Sequence, residues 1–240
     1  MKNLNDITDI WSYLSARPLL WLTATLAAYA FADWCSARVA RKPWANPVLL
    51  SVLLIAPVLS FSGTDYATYF EGAQFIHFLL GPATVALALP LNDNMETIRR
   101  AKASLLAALF VGSVVAATSA ILIAKLLGLP DVVVLSLAPK STTAPVALGI
   151  SEALGGLPTL TATLVILTGI IGAITITPLM DALGIRDWRA RGFAVGVAAH
   201  GIGTARAFQV NPVAGAYAGI GMALNAVLTS FLVPVLVGWL

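Results

Sequence analysis

The chain has 240 residues, of which 59% are hydrophobic and 10% charged, with a formal net charge of +3 and a mean hydropathy of +0.89. Soluble domains carry about 25% charged residues, so too few charges remain to coat a water-facing surface. The basic residues fall in short clusters between apolar runs, which excludes the broad basic face of a nucleic-acid-binding domain, and the single cysteine, Cys35, excludes an intramolecular disulfide.

Residues 1–17 carry Asp6 and Asp9 early, no weighty basic region and no small-residue cleavage pattern. They read as a short interfacial segment, with Trp11 and Tyr13 suited to the headgroup zone. From residue 18 to residue 240 the sequence reads as one transmembrane domain. A spanning helix needs about 20 mainly apolar residues, and eight candidates follow one another. The first runs from Pro18 to Ser36, where Cys35 reads as a small apolar residue. The second, Asn46 to Phe61, is short and contains Pro57. The third, Gly72 to Leu91, holds His77 as a packing residue and is interrupted at Gly81 and Pro82. The fourth runs from Ala103 to Leu127. The fifth, Val132 to Leu154, contains Pro139-Lys140-Ser141-Thr142-Thr143-Ala144-Pro145. The sixth is Pro158 to Leu183. The seventh, Gly192 to Gln209, contains His200-Gly201-Ile202-Gly203-Thr204-Ala205-Arg206. The eighth, Pro212 to Leu240, has no charged residue.

Cytoplasmic loops of bacterial membrane proteins are enriched in Lys and Arg. Arg38, Arg41 and Lys42 follow the first segment, and Arg99, Arg100 and Lys102 follow the third, while the loop after the second holds Asp65 and Glu71. This puts the N-terminus outside. Arg186, Arg189 and Arg191 follow the sixth segment and would also lie outside if all eight segments crossed. The conflict vanishes if one segment between the fourth and the sixth enters and returns on one side. The fifth is the natural suspect, because proline removes a backbone donor and clashes with the preceding turn. The glycine-rich seventh is the second suspect. The expected fold is therefore an all-α polytopic membrane protein with seven to eight hydrophobic segments, some broken or re-entrant.

Irregular backbone is tolerated at membrane depth only where it is buried in protein or lines a wet cavity, so the two interrupted segments carry the candidate site. Charge at bilayer depth costs at least about 2.5 kcal/mol, which makes Lys140 the most telling residue. With Ser141, Thr142, Thr143 and amides freed at Pro139, it forms a donor cluster suited to an anion. Its alternative is snorkelling to the interface. Arg206 is able to hold a carboxylate bidentately or to sit as an interfacial arginine. His200 either packs as a satisfied histidine or donates a hydrogen bond and carries protons. Glu152 pairs with Lys140 or lies in the turn at Gly155-Gly156, with the turn preferred. Leu80 to Leu87 faintly repeats Thr143 to Leu148, and paired interruptions point to a transporter site, which adds Pro82 and Thr84 as further candidates. His77, His200 and Cys35 have no metal-ligand spacing, and no catalytic set or phosphate loop is recognisable, so neither an enzyme nor a cofactor is expected.

The words Asn46-Pro47-Val48-Leu49-Leu50, Tyr69-Phe70-Glu71-Gly72-Ala73, Leu79 to Leu91, Leu137 to Ala147 and His200 to Ala207 resemble those of the LrgB/CidB family of bacterial membrane proteins, which includes a plastid glycolate/glycerate translocator. The resemblance extends from about Asn46 to the end. Ala144, where threonine is expected, and Gly201, where alanine is usual, are the departures. The resemblance implies one of two functions. The first is a secondary carrier of small monocarboxylates such as pyruvate, glycolate or glycerate, with Pro139 to Thr143, His200, Gly201, Gly203, Thr204 and Arg206 binding substrate. The second is an antiholin-like regulator of murein hydrolase export and cell lysis, acting with a small LrgA/CidA-type membrane partner. It further implies a bacterial inner-membrane location, a homo-oligomer, and a likeness to the cation/proton antiporter and bile-acid transporter folds.

Overall fold

The structure, a computed structural model, describes residues 18–79, 82, 85, 92 and 95–239. Among them every regular element is helical: α1 (Pro18–Arg38), a short 3-10 turn (Pro43–Ala45), α2 (Pro47–Ser62), α3 (Tyr66–Phe78), α4 (Met95–Arg100), α5 (Lys102–Leu126), α6 (Asp131–Leu137), α7 (Ala144–Ala153), α8 (Pro158–Ala182), α9 (Trp188–Val210) and α10 (Pro212–Trp239). The expected interfacial segment 1–17, Thr84 and most of the Leu80 to Leu87 word lie outside the described residues. The chain divides into two compact units, Met1–Pro82 and Ala83–Leu240.

The first unit contains α1 to α3. Asn46 caps α2 through its Oδ1, which accepts from the amides of Val48 at 2.9 Å and Leu49 at 3.2 Å. Pro47 follows at the first helical position, where a missing N–H costs nothing. Helices α1 and α3 cross with almost no gap at Gly72, where a Cβ would lie 2.1 Å from the Pro18 carbonyl oxygen. Thr25 and Tyr69 share a hydroxyl hydrogen bond of 3.1 Å across that crossing. After α1, Arg41 pairs with Asp33 at 2.6 Å and Arg38 lies 4.2 Å over the Trp34 ring.

The second unit holds the three helices long and apolar enough to cross a membrane, α5, α8 and α10; α2 is a shorter apolar helix. The expected count of seven to eight segments goes beyond these three. Helices α5 and α10 run side by side in the same direction. Leu105 and Leu109 near the start of α5 pack with Tyr217 and Ile220 of α10. Ser113 meets Asn225, and Ile121 and Ala124 pack with Val233.

The fifth sequence segment is two helices that fold back on each other. Ser136 in α6 and Ser151 in α7 would stand about 22 Å apart in a continuous helix. Instead, both reach Gly156, where a Cβ would lie 2.4 Å from Ser151 Oγ and 3.1 Å from Ser136 Oγ. Val134, Ala138 and Ile150 pack in one cluster. The tip of this first hairpin is the segment Pro139 to Thr143.

The seventh segment folds back as well. Ala199 (φ −131°, ψ 18°) and His200 (φ 40°, ψ −137°) interrupt α9. A Cβ at Gly203 would lie 2.8 Å from Val195 Cγ1, whereas eight residues of straight helix span about 12 Å. The entering arm runs parallel to α10, with Gly192 against the Ala214 carbonyl and Gly196 against the Ala218 carbonyl. The returning arm runs antiparallel to α10, with Thr204 at Met222 and the Phe208 ring on Gly215. Thus α5, α10 and the entering arm of α9 all start on one face of the second unit. Arg186, Arg189 and Arg191 stand on the same face as Lys102, the outcome that a fold-back between the fourth and sixth segments requires.

The fold-backs make a topological prediction. In a Cys35→Ser background, cysteines at Leu127 and Leu157 label with an impermeant maleimide from one face of sealed vesicles, and cysteines at Arg186 and Phe208 from the other. Labelling of Leu127 and Leu157 from opposite faces would mean that the fifth segment crosses. Close packing makes a second. At Gly196 a Cβ would meet the Ala218 carbonyl oxygen at 2.0 Å, while at Gly149 nothing lies within 4 Å. Gly196→Val therefore lowers the unfolding midpoint in detergent by the equivalent of about 1–3 kcal/mol of overpacking, and Gly149→Ala does not.

Candidate functional site

The first hairpin tip brings Pro139, Lys140, Ser141, Thr142 and Thr143 together, because the helix is broken there. The Lys140 amide donates to the Leu137 carbonyl at 3.1 Å and the Thr142 amide to the Pro139 carbonyl at 3.1 Å, tight turns that replace the helical ladder. Thr143 is extended (φ −63°, ψ 145°) and precedes α7, with Pro145 in its first turn. The half-buried Lys140 ammonium donates to Ser141 Oγ at 3.2 Å. Thr142 is 1% exposed and Thr143 6%, and neither hydroxyl has a hydrogen-bond partner among the described residues. A buried, unpaired hydroxyl costs about 1–3 kcal/mol, so the turn that carries Lys140 holds two donors whose hydrogen-bonding capacity is unused.

The second tip is anchored rather than open. Its one ionisable side chain, His200, is buried. Its Nε2 lies 2.8 Å from the Val165 carbonyl of α8, which accepts only, so this nitrogen carries the proton. The ring presses on Gly169, where a Cβ would come within 2.7 Å of Cε1. Thr204 donates to the His200 carbonyl at 2.8 Å. Gly203 allows the close approach of the two arms, while Gly201 is exposed.

One residue joins the tips. Asn225, at the middle of α10 and 1% exposed, donates from Nδ2 to the Ser141 carbonyl and to the Val197 carbonyl, each at 3.2 Å. Its Oδ1 accepts from Ser113 of α5 at 2.6 Å and from Thr229 at 3.1 Å. Sequence reading passed over Asn225. The available signal was a lone carboxamide inside an otherwise apolar span, since polar residues at that depth are costly and functional.

Two candidates of the second unit lie away from the tips. Arg206 shares a cavity with Trp188, Arg191 and Met180 at the open end of the second hairpin, and also approaches Gln209 at 3.5 Å. Six residues of helix, about 9 Å, carry it from the tip toward the basic face. Glu152 is exposed at the opposite end, where its carbonyl accepts from Gly155 at 3.1 Å. Pro82 is exposed. Between α8 and α9, Arg191 pairs with Asp181 and also donates to the Ile185 carbonyl. Asp187 caps α9 by accepting from the Arg189 amide at 2.8 Å. The Arg189 side chain hydrogen-bonds the Asp187 carboxylate and holds its pKa down to about 2. Because the folded pKa lies below the ordinary value of about 3.9, this cap contributes fully above pH 4 and is lost only as pH falls toward 2.

The sequence pattern of the LrgB-like family matches residues 25–239. The chain belongs to the LrgB-like family. It is 34% identical over 224 residues to the holin-like protein CidB of Staphylococcus aureus, covering 92% of this chain and 96% of that one. It is 33% identical over 228 residues to the holin-like protein CidB of Staphylococcus epidermidis, covering 94% and 97%. A Haemophilus influenzae protein is 33% identical over 220 residues, covering 90% and 94%. No solved structure matches. This LrgB-like chain is a membrane protein, with three helices of crossing length among the described residues.

In this LrgB-like chain the first hairpin is pinned at its base by a hydroxyl cluster. Thr161 Oγ1 lies 2.7 Å from Ser151 Oγ and 3.0 Å from the Ser136 carbonyl, and Ser136 Oγ accepts from the Leu157 amide at 2.8 Å. Thr161→Val keeps the shape and removes the central hydroxyl, so it lowers stability by about 1–3 kcal/mol, read as a fall in the thermal midpoint of the purified protein. Thr163→Val, on the exposed face where the hydroxyl only bonds back to the Thr159 carbonyl, leaves the midpoint in place.

Proposed function

We propose that this protein is a secondary carrier of small monocarboxylates in the bacterial inner membrane, of the pyruvate, glycolate or glycerate class, and not an enzyme. The observation that carries the reading is the first hairpin tip: Lys140 beside two buried hydroxyls with no protein partner, at the start of α7. A helix N-terminus bears a partial positive charge and free amides. An ammonium, two hydroxyls and that N-terminus match the needs of one carboxylate. The second hairpin's returning arm also starts at its tip, which adds a second positive helix end near the first. Broken helices of this kind, aimed at an anion from opposite faces, support alternating access around a central site. The positive-inside rule reads the face with Lys102, Arg186, Arg189 and Arg191 as cytoplasmic. On this reading Arg206 draws anions toward the cytoplasmic opening, and Lys140 holds the carboxylate.

The printed names of the staphylococcal relatives, holin-like protein CidB, favour a second reading, a regulator of murein hydrolase export and lysis acting with an LrgA/CidA-type membrane partner. A scaffold for a partner has no need of an ammonium and donor hydroxyls at depth, so the carrier reading is preferred.

In proteoliposomes the wild-type protein takes up labelled pyruvate or glycolate, and Lys140→Ala abolishes that uptake while inserting normally. Absence of wild-type uptake across a panel of small monocarboxylates would sink the carrier reading. Partner-dependent hydrolase release that survives Lys140→Ala would favour the regulatory one.

A further inference from the structure

We infer that Asn225 is the residue that positions both hairpin tips at once and couples their opening. The two tips come from opposite faces of the second unit and meet at one carboxamide. Its two N–H groups go to one tip each, to the Ser141 carbonyl and the Val197 carbonyl at 3.2 Å. Both carbonyls belong to interrupted helices and lie in a buried setting, where an unpaired backbone oxygen is costly. Neither hairpin retracts without stranding one of them.

The orientation of the amide is fixed from its other side. Ser113 Oγ donates to Oδ1 at 2.6 Å from α5 and Thr229 Oγ1 donates at 3.1 Å from one turn further along α10. The Ser141 and Val197 carbonyls only accept, so the amide nitrogen has to face the tips and the two hydroxyls donate to the oxygen. The carboxamide thereby ties the centre of α5 and the centre of α10 to both hairpins. In carrier terms, which rest on the function proposed above, the occluded state holds both bonds and each open state gives up one. Asn225 acts through the tips and touches no substrate.

The test follows the tips directly and needs no substrate. In a Cys35→Ser background, single cysteines are placed at Ser141 in the first tip, at Val197 beside the second, and at Ala120, a buried position on α5 outside both tips. Rates of modification by a small maleimide are measured on the purified full-length protein, with and without Asn225→Ala. The expected result is acceleration at Ser141→Cys and Val197→Cys together, by about tenfold, the scale set by one or two buried hydrogen bonds. The rate at Ala120→Cys stays unchanged. Ser113→Ala and Thr229→Val, which keep Asn225 but release its orientation, give the same paired pattern at smaller size and serve where Asn225→Ala does not fold. Acceleration at one tip alone, at neither, or equally at Ala120→Cys overturns the inference. A protein that takes up no carboxylate yet shows the paired acceleration loses the carrier reading and keeps the coupling.

Discussion

A helix that stops inside an apolar body leaves backbone amides and carbonyls with no water to bind, and in a membrane that cost is prohibitive unless protein supplies the partners. The second unit stops two helices at the same depth. It satisfies the break in the first by tight turns at Leu137 and Pro139 and in the second by the Thr204 hydroxyl on the His200 carbonyl. One carbonyl from each interrupted segment, those of Ser141 and Val197, falls to Asn225. The arrangement of α5, α10 and both hairpins follows from this shared debt, because only a position where all four elements meet lets one side chain discharge it.

Close approach is the second condition. Two arms and a long helix converge on Asn225 only if their backbones nearly touch. The sequence supplies small residues where they do, Gly192, Gly196 and Gly203 along α9 and Gly215 and Gly221 along α10. The glycines that made the seventh segment look irregular are therefore spent mostly on packing. The reversal itself falls on Ala199 and His200, neither of them glycine. His200 adopts φ 40°, an uncommon conformation for a residue with a side chain. It is held there by its Nε2 bond to the Val165 carbonyl and by the pocket that Gly169 opens for the ring. Thus α8 fixes one tip from outside while Asn225 fixes both from within.

Much of this was legible in the sequence, for reasons that are local. The break between Pro139 and Pro145 shows itself because two prolines and three hydroxyl residues in a row contradict a plain helix. The charge of Arg186, Arg189 and Arg191 argues for a fold-back from the sequence alone, because side preference adds up along the chain. What stayed hidden depends on distant pairs. Asn225 finds its partners 28, 84 and 112 residues away, and nothing near it in sequence announces them. Arg206 was grouped with Lys140 because both follow a break. The return of the second arm separates them, since a helix that doubles back carries its sixth residue to the base rather than deeper. The close contact at Gly203 likewise depends on Val195 and Ala199, which the reversal of the helix brings to it.

The two hairpins are alike in plan and unlike in finish, and the difference bears on how such a protein works. At the first tip the polar groups are left over: an ammonium with one hydroxyl partner and two threonine hydroxyls with none in the protein. At the second, His200 and Thr204 are spoken for by Val165 and by the tip's own carbonyl. On the carrier reading proposed above, binding energy for a small anion would be concentrated on one hairpin, with the other as its wall. A carboxylate seated against Lys140 would sit beside the carbonyl of Ser141, whose partner is Asn225. Its arrival changes the environment of the one bond that links the first tip to the second. Under the carrier proposal, a site so placed would pass its occupancy to the opposite face through Asn225, with no long relay between them.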